Sequence, residues 1–185
     1  HAGTTWFLAQ LYRETGDERA LAGAKRGLAF LEARLKPLPD GRLAVTESNR
    51  VSLGVQALSL IAFAEVALAT PDDAHARDRV RAMAKLLRDF QKPNGDFFFH
   101  YDLRKAAPLA SKRMFYAAGQ AALALAKTAR LLGDDENRTA ARLAMDFMAG
   151  PYWDFWLGDF FFIEEHWTCL AAQEAWALFE DPDHA

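Results

Sequence analysis

The hydrophobic and polar positions of the chain follow a pattern that occurs three times. An apolar helix-forming segment leads into a short turn built on Gly-Asp or Pro-Asp, and an amphipathic segment with one charged face follows. The three turns, Gly16-Asp17, Pro71-Asp72 and Gly133-Asp134, recur roughly every 55 to 62 residues. A repeat of this length is typical of stacked helical hairpins.

The spacing of apolar residues predicts seven helices, in two classes. They cover residues 4–15, 18–35, 51–69, 75–91, 115–132, 136–148 and 166–179. The first, third and fifth are apolar almost all round, which predicts an inner layer, whereas the second, fourth and sixth carry a charged face and predict an outer layer. The sequence therefore predicts an all-α fold in a single domain, an α/α hairpin array or a partial α/α toroid.

Capping residues mark the turns inside the three hairpins. Asp17, Asp72 and Asp135 stand where a helix needs an acceptor for its unpaired N–H groups. Gly16 and Gly133 suit a left-handed cap at the end of the preceding helix. These residues predict where each inner helix ends and each outer helix begins.

The segments that join one hairpin to the next are less regular and richer in aromatic residues. In an α/α toroid, all connections from an outer helix to the next inner helix emerge at one end. We therefore expect residues 36–50, 92–114 and 149–165 to cluster around the mouth of the inner helices. Connections held on a rigid scaffold are where binding sites concentrate, so we expect the functional site there.

Composition and charge exclude several classes of protein. The net charge of −3 is spread along 185 residues without a basic stripe, so we expect no nucleic-acid partner. Gln56, Glu65 and Lys127 interrupt the longest apolar runs, so we expect no membrane span. The single cysteine, Cys169, excludes an internal disulfide and fits a reducing compartment such as the cytoplasm. Because the chain opens on HAGTTWF, we expect a fragment of a longer protein.

Three features resemble the α/α toroid families. They are the alternation of inner and outer helices, the Gln-Lys-Pro-Asn-Gly-Asp-Phe turn at residues 91–97, and the Gly119-Gln120-Ala121 start of an inner helix. The families include six-hairpin glycosidases with related sugar epimerases and lyases, and also terpenoid cyclases and protein prenyltransferases. The resemblance implies a carbohydrate-active enzyme or its remnant, in a ring that is incomplete because a full toroid has more helices than seven.

The cyclase and transferase branches fit the sequence less well. Prenyltransferases hold zinc with an Asp, a Cys and a His, and His166 three residues before Cys169 on one helix is a different pattern. Terpenoid cyclases of this type use an acidic Asp-x-Asp-Asp cluster, which the sequence lacks. We therefore expect neither a metal nor a cofactor, and a terpenoid-cyclase-like enzyme stays a third alternative.

The glycan-active branch needs two carboxyl groups on either side of the scissile bond. Acidic residues flanked by aromatic ones occur in the predicted mouth, where desolvation would raise their pKa and the rings would stack on sugars. An acid in such a segment is equally a solvated residue or a helix cap. The candidates are Asp96, Asp102, Asp154, Asp159, Glu164 and Glu165.

The string Glu164-Glu165-His166-Trp167 lies at the entry to the last inner helix. The helix dipole favours acids there, which is one interpretation. The other is that a glutamate and His166 act as acid and base, because a neighbouring carboxylate tunes an imidazole that titrates near neutral pH. The predicted catalytic set is Glu164, Glu165, His166 and Asp96.

A second set is predicted to bind the ligand. Tyr116 and Gln120 lie one helical turn apart at the start of an inner helix, so both can face one cavity. The aromatic members suit ring stacking, although aromatic residues that close the end of a helical ring also form plain core. The set comprises Asn49, His100, Tyr101, Asp102, Tyr116, Gln120, Trp153, Trp156 and Trp167.

Two main classes of function follow. One is a carbohydrate-active hydrolase, lyase or epimerase that takes a small-molecule or glycan ligand. The other is a non-catalytic module that offers a concave helical surface to a peptide, a glycan or a partner protein. An incomplete ring also leaves two apolar flanks uncovered, so we expect a homodimer through this open edge.

Overall fold

Helical hairpins form most of the molecule, and short strands join them. The computed structural model describes residues 1–155 and 161–180, without the side chains of residues 155 and 161–165. The helices are α1 Ala2–Thr15, α2 Glu18–Glu32, α3 Leu53–Ala69, α4 Ala74–Arg88, α5 Ala117–Leu132, α6 Asp135–Met148, α7 Pro151–Phe155 and α8 Phe161–Phe179. The strands are β1 Leu35–Pro37, β2 Leu43–Val45, β3 Arg50–Ser52, β4 His100–Asp102 and β5 Ala107–Leu109.

The seven predicted helices are all present in the predicted order, and most of their ends differ by a few residues. The largest difference is at α8, which begins at Phe161 rather than at residue 166. The short helix α7 and the five strands are additions that helical periodicity could not indicate, because each is three to five residues long. The fold is otherwise the predicted array of α/α hairpins.

The turns confirm the glycine caps and correct two of the aspartates. Gly16 and Gly133 have φ values of 69° and 66°, the left-handed conformation of a helix C-terminal cap. Asp17 caps α2 as predicted by accepting from the Arg19 N–H. In the other two turns, the acceptors are Asp73 and Asp134, each one residue away from the predicted cap.

Helices α1, α3, α5 and α8 form the inner row, with α3 against α1 and α5, and α5 against α8. Helices α3 and α5 are buried on nearly all sides, as predicted, because they lie in the middle of the row. Helix α1 is exposed on one flank, where Phe7 keeps 60% of its surface in solvent. On the other flank of the row, Trp176 of α8, the last inner helix, is 42% exposed. These two flanks form the open edge, and dimerisation through it stays a prediction.

The connections from outer to inner helices meet at one end of the row, as predicted. Strand β3, after α2, pairs antiparallel with β4, after α4, so the first two connections form one three-stranded sheet with β5. In the turn at residues 91–97, Gly95 has φ 89° and lies against the Leu143 carbonyl, where a Cβ would come within 2.0 Å of the oxygen. The turn is therefore fixed against α6.

Close helix contact holds the inner row together at the same end. A Cβ placed on Gly119 of α5 would lie 2.8 Å from the Trp167 Cβ of α8, so only glycine allows this approach.

None of the helices in the described part of the chain is long and apolar enough to cross a membrane.

Candidate functional site

We call one end of the helical row the mouth, and define it by residues 33–52, residues 89–116 and the first turns of the inner helices. The third connection reaches the second one through Tyr152 of α7, whose ring lies 5.5 Å from the Arg113 guanidinium. The described part of the third connection therefore also contributes to this end, and two kinds of surface line it.

The first surface is a row of aromatic rings from three inner helices, which we call the aromatic row. The ring of Tyr116, before α5, lies 5.3 Å from that of His166 on α8. His166 lies 5.3 Å from Trp167, and Trp167 lies 5.9 Å from Trp6 of α1. Tyr116 has φ 66°, a strained conformation for a residue with a side chain, and such strain is common at functional sites.

The second surface is one face of the β3–β4 ladder. Arg50 lies opposite Asp102 and Ser52 lies opposite His100, so these four side chains share a face. Tyr101 lies on the other face, where it packs 5.6 Å from the Phe90 ring and accepts a hydrogen bond from Arg42 at 3.0 Å. The ladder separates the predicted ligand residues His100 and Asp102 from Tyr101, which is part of the core.

A cavity of about 380 Å³ opens beside this face, at the start of α3. It is lined by Arg34, Val45, Thr46, Glu47, Arg50, Ser52 and Val55. A wider depression of about 620 Å³ continues from it, where the Lys36 ammonium donates to Asn49 at 3.1 Å. Asn49 therefore borders this depression, and its role in ligand binding stays a prediction.

The local charges shift two pKa values at this surface. Partial burial, together with the nearby Arg50 cation, lowers the pKa of His100, because both disfavour a second positive charge. The backbone N–H groups of Arg104 and Lys105 lower the pKa of Asp102, chiefly through the hydrogen bond from Arg104. His100 is therefore a neutral group at neutral pH.

Asp96, a predicted catalytic residue, lies in a salt bridge. The Arg113 guanidinium donates to both of its oxygens, at 3.0 and 2.9 Å, and the Lys92 ammonium lies 2.7 Å from Oδ2. The side chain is only 6% exposed. Both carboxylate oxygens are thus engaged by cations, the arrangement of a structural ion pair.

The remaining predicted residues are dispersed. Gln120 is buried next to Gly54, at the contact between α3 and α5. Trp153 packs edge-on against Tyr152 at 5.1 Å, on α7. Residues 156 and 159, and the side chains of Glu164 and Glu165, lie outside the described residues.

A chain of charges that the sequence analysis did not predict lies at the ends of the inner helices away from the mouth. Glu65 on α3 forms ion pairs with Arg13 of α1 and with Lys127 of α5, the latter at 2.8 Å. Lys127 in turn lies 3.3 Å from Glu174 of α8. The signal was present, because Glu65 is the single charged residue of α3 and Lys127 interrupts the apolar sequence of α5.

Comparisons with known proteins identify the fold. No family model matches the sequence, and no curated protein is significantly similar to it. A cellobiose 2-epimerase from Spirochaeta thermophila DSM 6192 superposes with a TM-score of 0.74 at 15% identity, over 98% of this chain and 53% of that one. A glycoside hydrolase family 76 mannosidase from Bacteroides thetaiotaomicron VPI-5482 superposes with a TM-score of 0.77 at 15% identity, over 100% of this chain and 55% of that one.

A third similar structure contains a saccharide. It is an inactive variant of an α-1,6-mannanase from Salegentibacter sp. HEL1_6, with two aspartates replaced by asparagine, in complex with α-1,6-mannotriose. It gives a TM-score of 0.72 at 12% identity, over 97% of this chain and 56% of that one. The chain thus has the α/α toroid fold of six-hairpin glycosidase-like proteins and spans about half the length of these structures.

Proposed function

We propose that this chain is a carbohydrate-active α/α-toroid domain that binds a saccharide at the mouth. The observation that carries the proposal is the aromatic row, in which rings of Trp6, Tyr116, His166 and Trp167 follow one another at 5.3 to 5.9 Å. Aromatic faces stack on the apolar faces of sugar rings, and the polar ladder beside the mouth offers hydrogen bonds to hydroxyl groups. Carbohydrate-active proteins with this fold support the proposal.

His166 is the residue to which we assign proton transfer, with Glu164 and Glu165 before it on α8. His166 is exposed at the mouth and its ring contacts those of Tyr116 and Trp167. Its imidazole nitrogens can accept and release a proton, which suits a general base. Trp167 and Tyr116 would hold the sugar beside it.

Within this class we favour epimerisation or isomerisation over hydrolysis. Hydrolysis usually needs two carboxyl groups roughly 5 to 10 Å apart across the bond. Among the described acids of the mouth, Asp40, Glu47, Asp89 and Asp96 are paired with arginines. Asp102 instead accepts the backbone N–H groups of Arg104 and Lys105, so no two unpaired carboxylates are described there. A histidine base can instead remove the proton on C2 of an open-chain aldose, next to the C1 carbonyl, and leave an enediolate. Once the enediolate has turned in the site, return of the proton to the other face of C2 gives the epimer.

Deuterium exchange tests the assignment directly. The chain would be incubated in D₂O with mannose, glucose and cellobiose, and the C2 proton followed by NMR. We expect exchange and epimer formation with the wild type, and loss of at least about a hundredfold in rate for His166→Gln. The matched control is His75→Gln, because His75 is exposed on the outer helix α4 and lies away from the mouth.

Other outcomes decide between the remaining classes. Saccharide binding without exchange or cleavage would favour a non-catalytic binding module. Cleavage of an α-1,6-linked mannobiose, abolished by Glu164→Gln or Glu165→Gln, would favour a hydrolase. The absence of binding to every saccharide in the panel would overturn the proposed function.

A further inference from the structure

The cavity at the start of α3 contains an arginine that the protein itself does not use. Among the described residues, no acceptor lies within hydrogen-bond or ion-pair distance of the Arg50 guanidinium. The other arginine of the cavity is engaged, because Arg34 lies 2.9 Å from Glu47 and donates to the Phe30 carbonyl. Arg50 is thus a cation available to a ligand.

The backbone holds Arg50 in a fixed position. Its N–H donates to the Ser48 hydroxyl at 3.0 Å, and its carbonyl accepts from the hydroxyls of Thr46 and Ser48 at 2.8 and 3.0 Å. The pairing of Arg50 with Asp102 in the β3–β4 ladder adds a second constraint. The Arg50 side chain therefore starts from a fixed backbone position at the edge of the cavity.

Neutral donors lie at the start of α3, where Ser52 and Val55 line the cavity. The Ser52 side chain makes no capping hydrogen bond, and the first turn of α3 contains no acidic residue. Within the described residues, the N–H groups of Gly54 and Val55 have no protein acceptor. Backbone N–H groups at the start of a helix attract anions, and here a guanidinium lies beside them.

The charge and shape of the cavity also favour an anionic ligand. Two arginines against one glutamate leave one positive charge in excess among the lining residues. Val55, which is 48% exposed, offers an apolar surface beside the donors. Such a surface suits the face of a sugar ring, while the cation suits an acidic substituent on that ring.

We propose that the Arg50 cavity binds the anionic group of an acidic saccharide, a carboxylate or a phosphate. The inference rests on the proposed function for the saccharide part of the ligand. Arg50 would hold two oxygens of the anion through its guanidinium, and the hydroxyl of Ser52 with the N–H group of Val55 would donate to the same group.

An NMR titration at constant ionic strength tests the inference. The ¹⁵N-labelled chain would be titrated with glucuronate, glucose 6-phosphate and glucose, as wild type, Arg50→Gln and Arg104→Gln. Arg104 is the matched control, because it is an exposed arginine in the β4–β5 turn and does not line the cavity. We expect at least one acidic sugar to bind about tenfold more tightly than glucose, with shifts at the Gly54 and Val55 amides.

The variants locate that preference. Arg50→Gln should remove it, whereas Arg104→Gln should keep it. A preference for glucuronate alone assigns a carboxylate, and a preference for glucose 6-phosphate alone assigns a phosphate. Equal binding of acidic and neutral sugars, or a preference that survives Arg50→Gln, overturns the inference and leaves the proposed function standing.

A second titration distinguishes failure of the proposed function from failure of the anion site. If no sugar binds, inorganic phosphate is titrated as a probe of the anion site alone. Shifts at Gly54 and Val55 that occur in the wild type and disappear in Arg50→Gln would then support the anion site without the saccharide. The absence of such shifts would overturn it.

Discussion

At the scale of single residues, Asp96 is a predicted catalytic acid that two neighbouring cations engage. Arg113 and Lys92 engage both of its oxygens, and the carboxylate is almost fully buried. We expect Asp96→Asn to lower the free energy of unfolding by about 3 kcal/mol, because it leaves the half-buried Arg113 without its carboxylate. Urea unfolding followed by circular dichroism measures this.

The control for Asp96 is an exposed pair. Asp78 lies 2.7 Å from Arg81 on the surface of α4, so Asp78→Asn should change stability by less than about 1 kcal/mol. Saccharide binding and C2 proton exchange, measured on folded Asp96→Asn protein, separate a structural role of Asp96 from a catalytic one. A variant of unchanged stability that has lost turnover would return Asp96 to the catalytic set.

His100 makes a prediction about pH. Its pKa in the folded chain is lowered from 6.5 by burial and by Arg50. Between the lowered pKa and 6.5, the unfolded chain binds more protons than the folded one, so His100 makes stability fall as the pH falls through this window. In Arg50→Gln the pKa of His100 should rise, because one of its two causes is removed, and histidine-selective NMR titration follows it. An unchanged pKa would show that Arg50 does not act on the imidazole.

At the scale of the elements, Gly119 controls how closely α5 and α8 approach at the mouth. A Cβ on Gly119 would meet the Trp167 Cβ at 2.8 Å and the backbone of residues 167 and 168 at 3.1 and 3.2 Å. We expect Gly119→Ala to destabilise the chain by about 1 to 3 kcal/mol, despite the better helix propensity of alanine. Thermal unfolding gives the stability, and tryptophan fluorescence reports the contact between Trp6 and Trp167.

Gly3 provides the comparison within the inner row. It is also a helical glycine, on α1, but a Cβ there meets nothing within 4 Å. Gly3→Ala should therefore leave the chain equally or more stable, by up to about 1 kcal/mol. Equal destabilisation by the two substitutions would contradict a specific role for the contact between α5 and α8.

The elements also show what the sequence could predict. The seven long helices were predictable because apolar spacing and capping residues repeat over many positions, as in the turns at Gly16 and Gly133. The strands β3 and β4 were not, because three residues hold no readable period and their pairing joins positions about 50 residues apart. The Arg50 cavity depends on that pairing, and the engagement of Asp96 depends on Arg113, 17 residues away.

At the scale of the whole molecule, a buried chain of charges joins all four inner helices. It runs from Arg13 through Glu65 and Lys127 to Glu174, and Glu65 has no exposed surface. A buried ion pair adds little net stability over an apolar pair, but removing one partner strands the other charge. The chain of charges should therefore fix the register of the inner row more than its stability.

A double-mutant cycle on Glu65 and Lys127 tests this role. Lys127→Met leaves Glu65 with Arg13 alone, so we expect a loss of about 3 kcal/mol or more. Glu65→Leu combined with Lys127→Met removes both buried charges and should recover most of that loss, while Glu174 keeps its ion pair with Arg130 at 2.8 Å. Urea unfolding of the single and double variants gives the coupling energy. Strictly additive losses would mean that the two charges act independently and that apolar packing alone sets the register of the four helices.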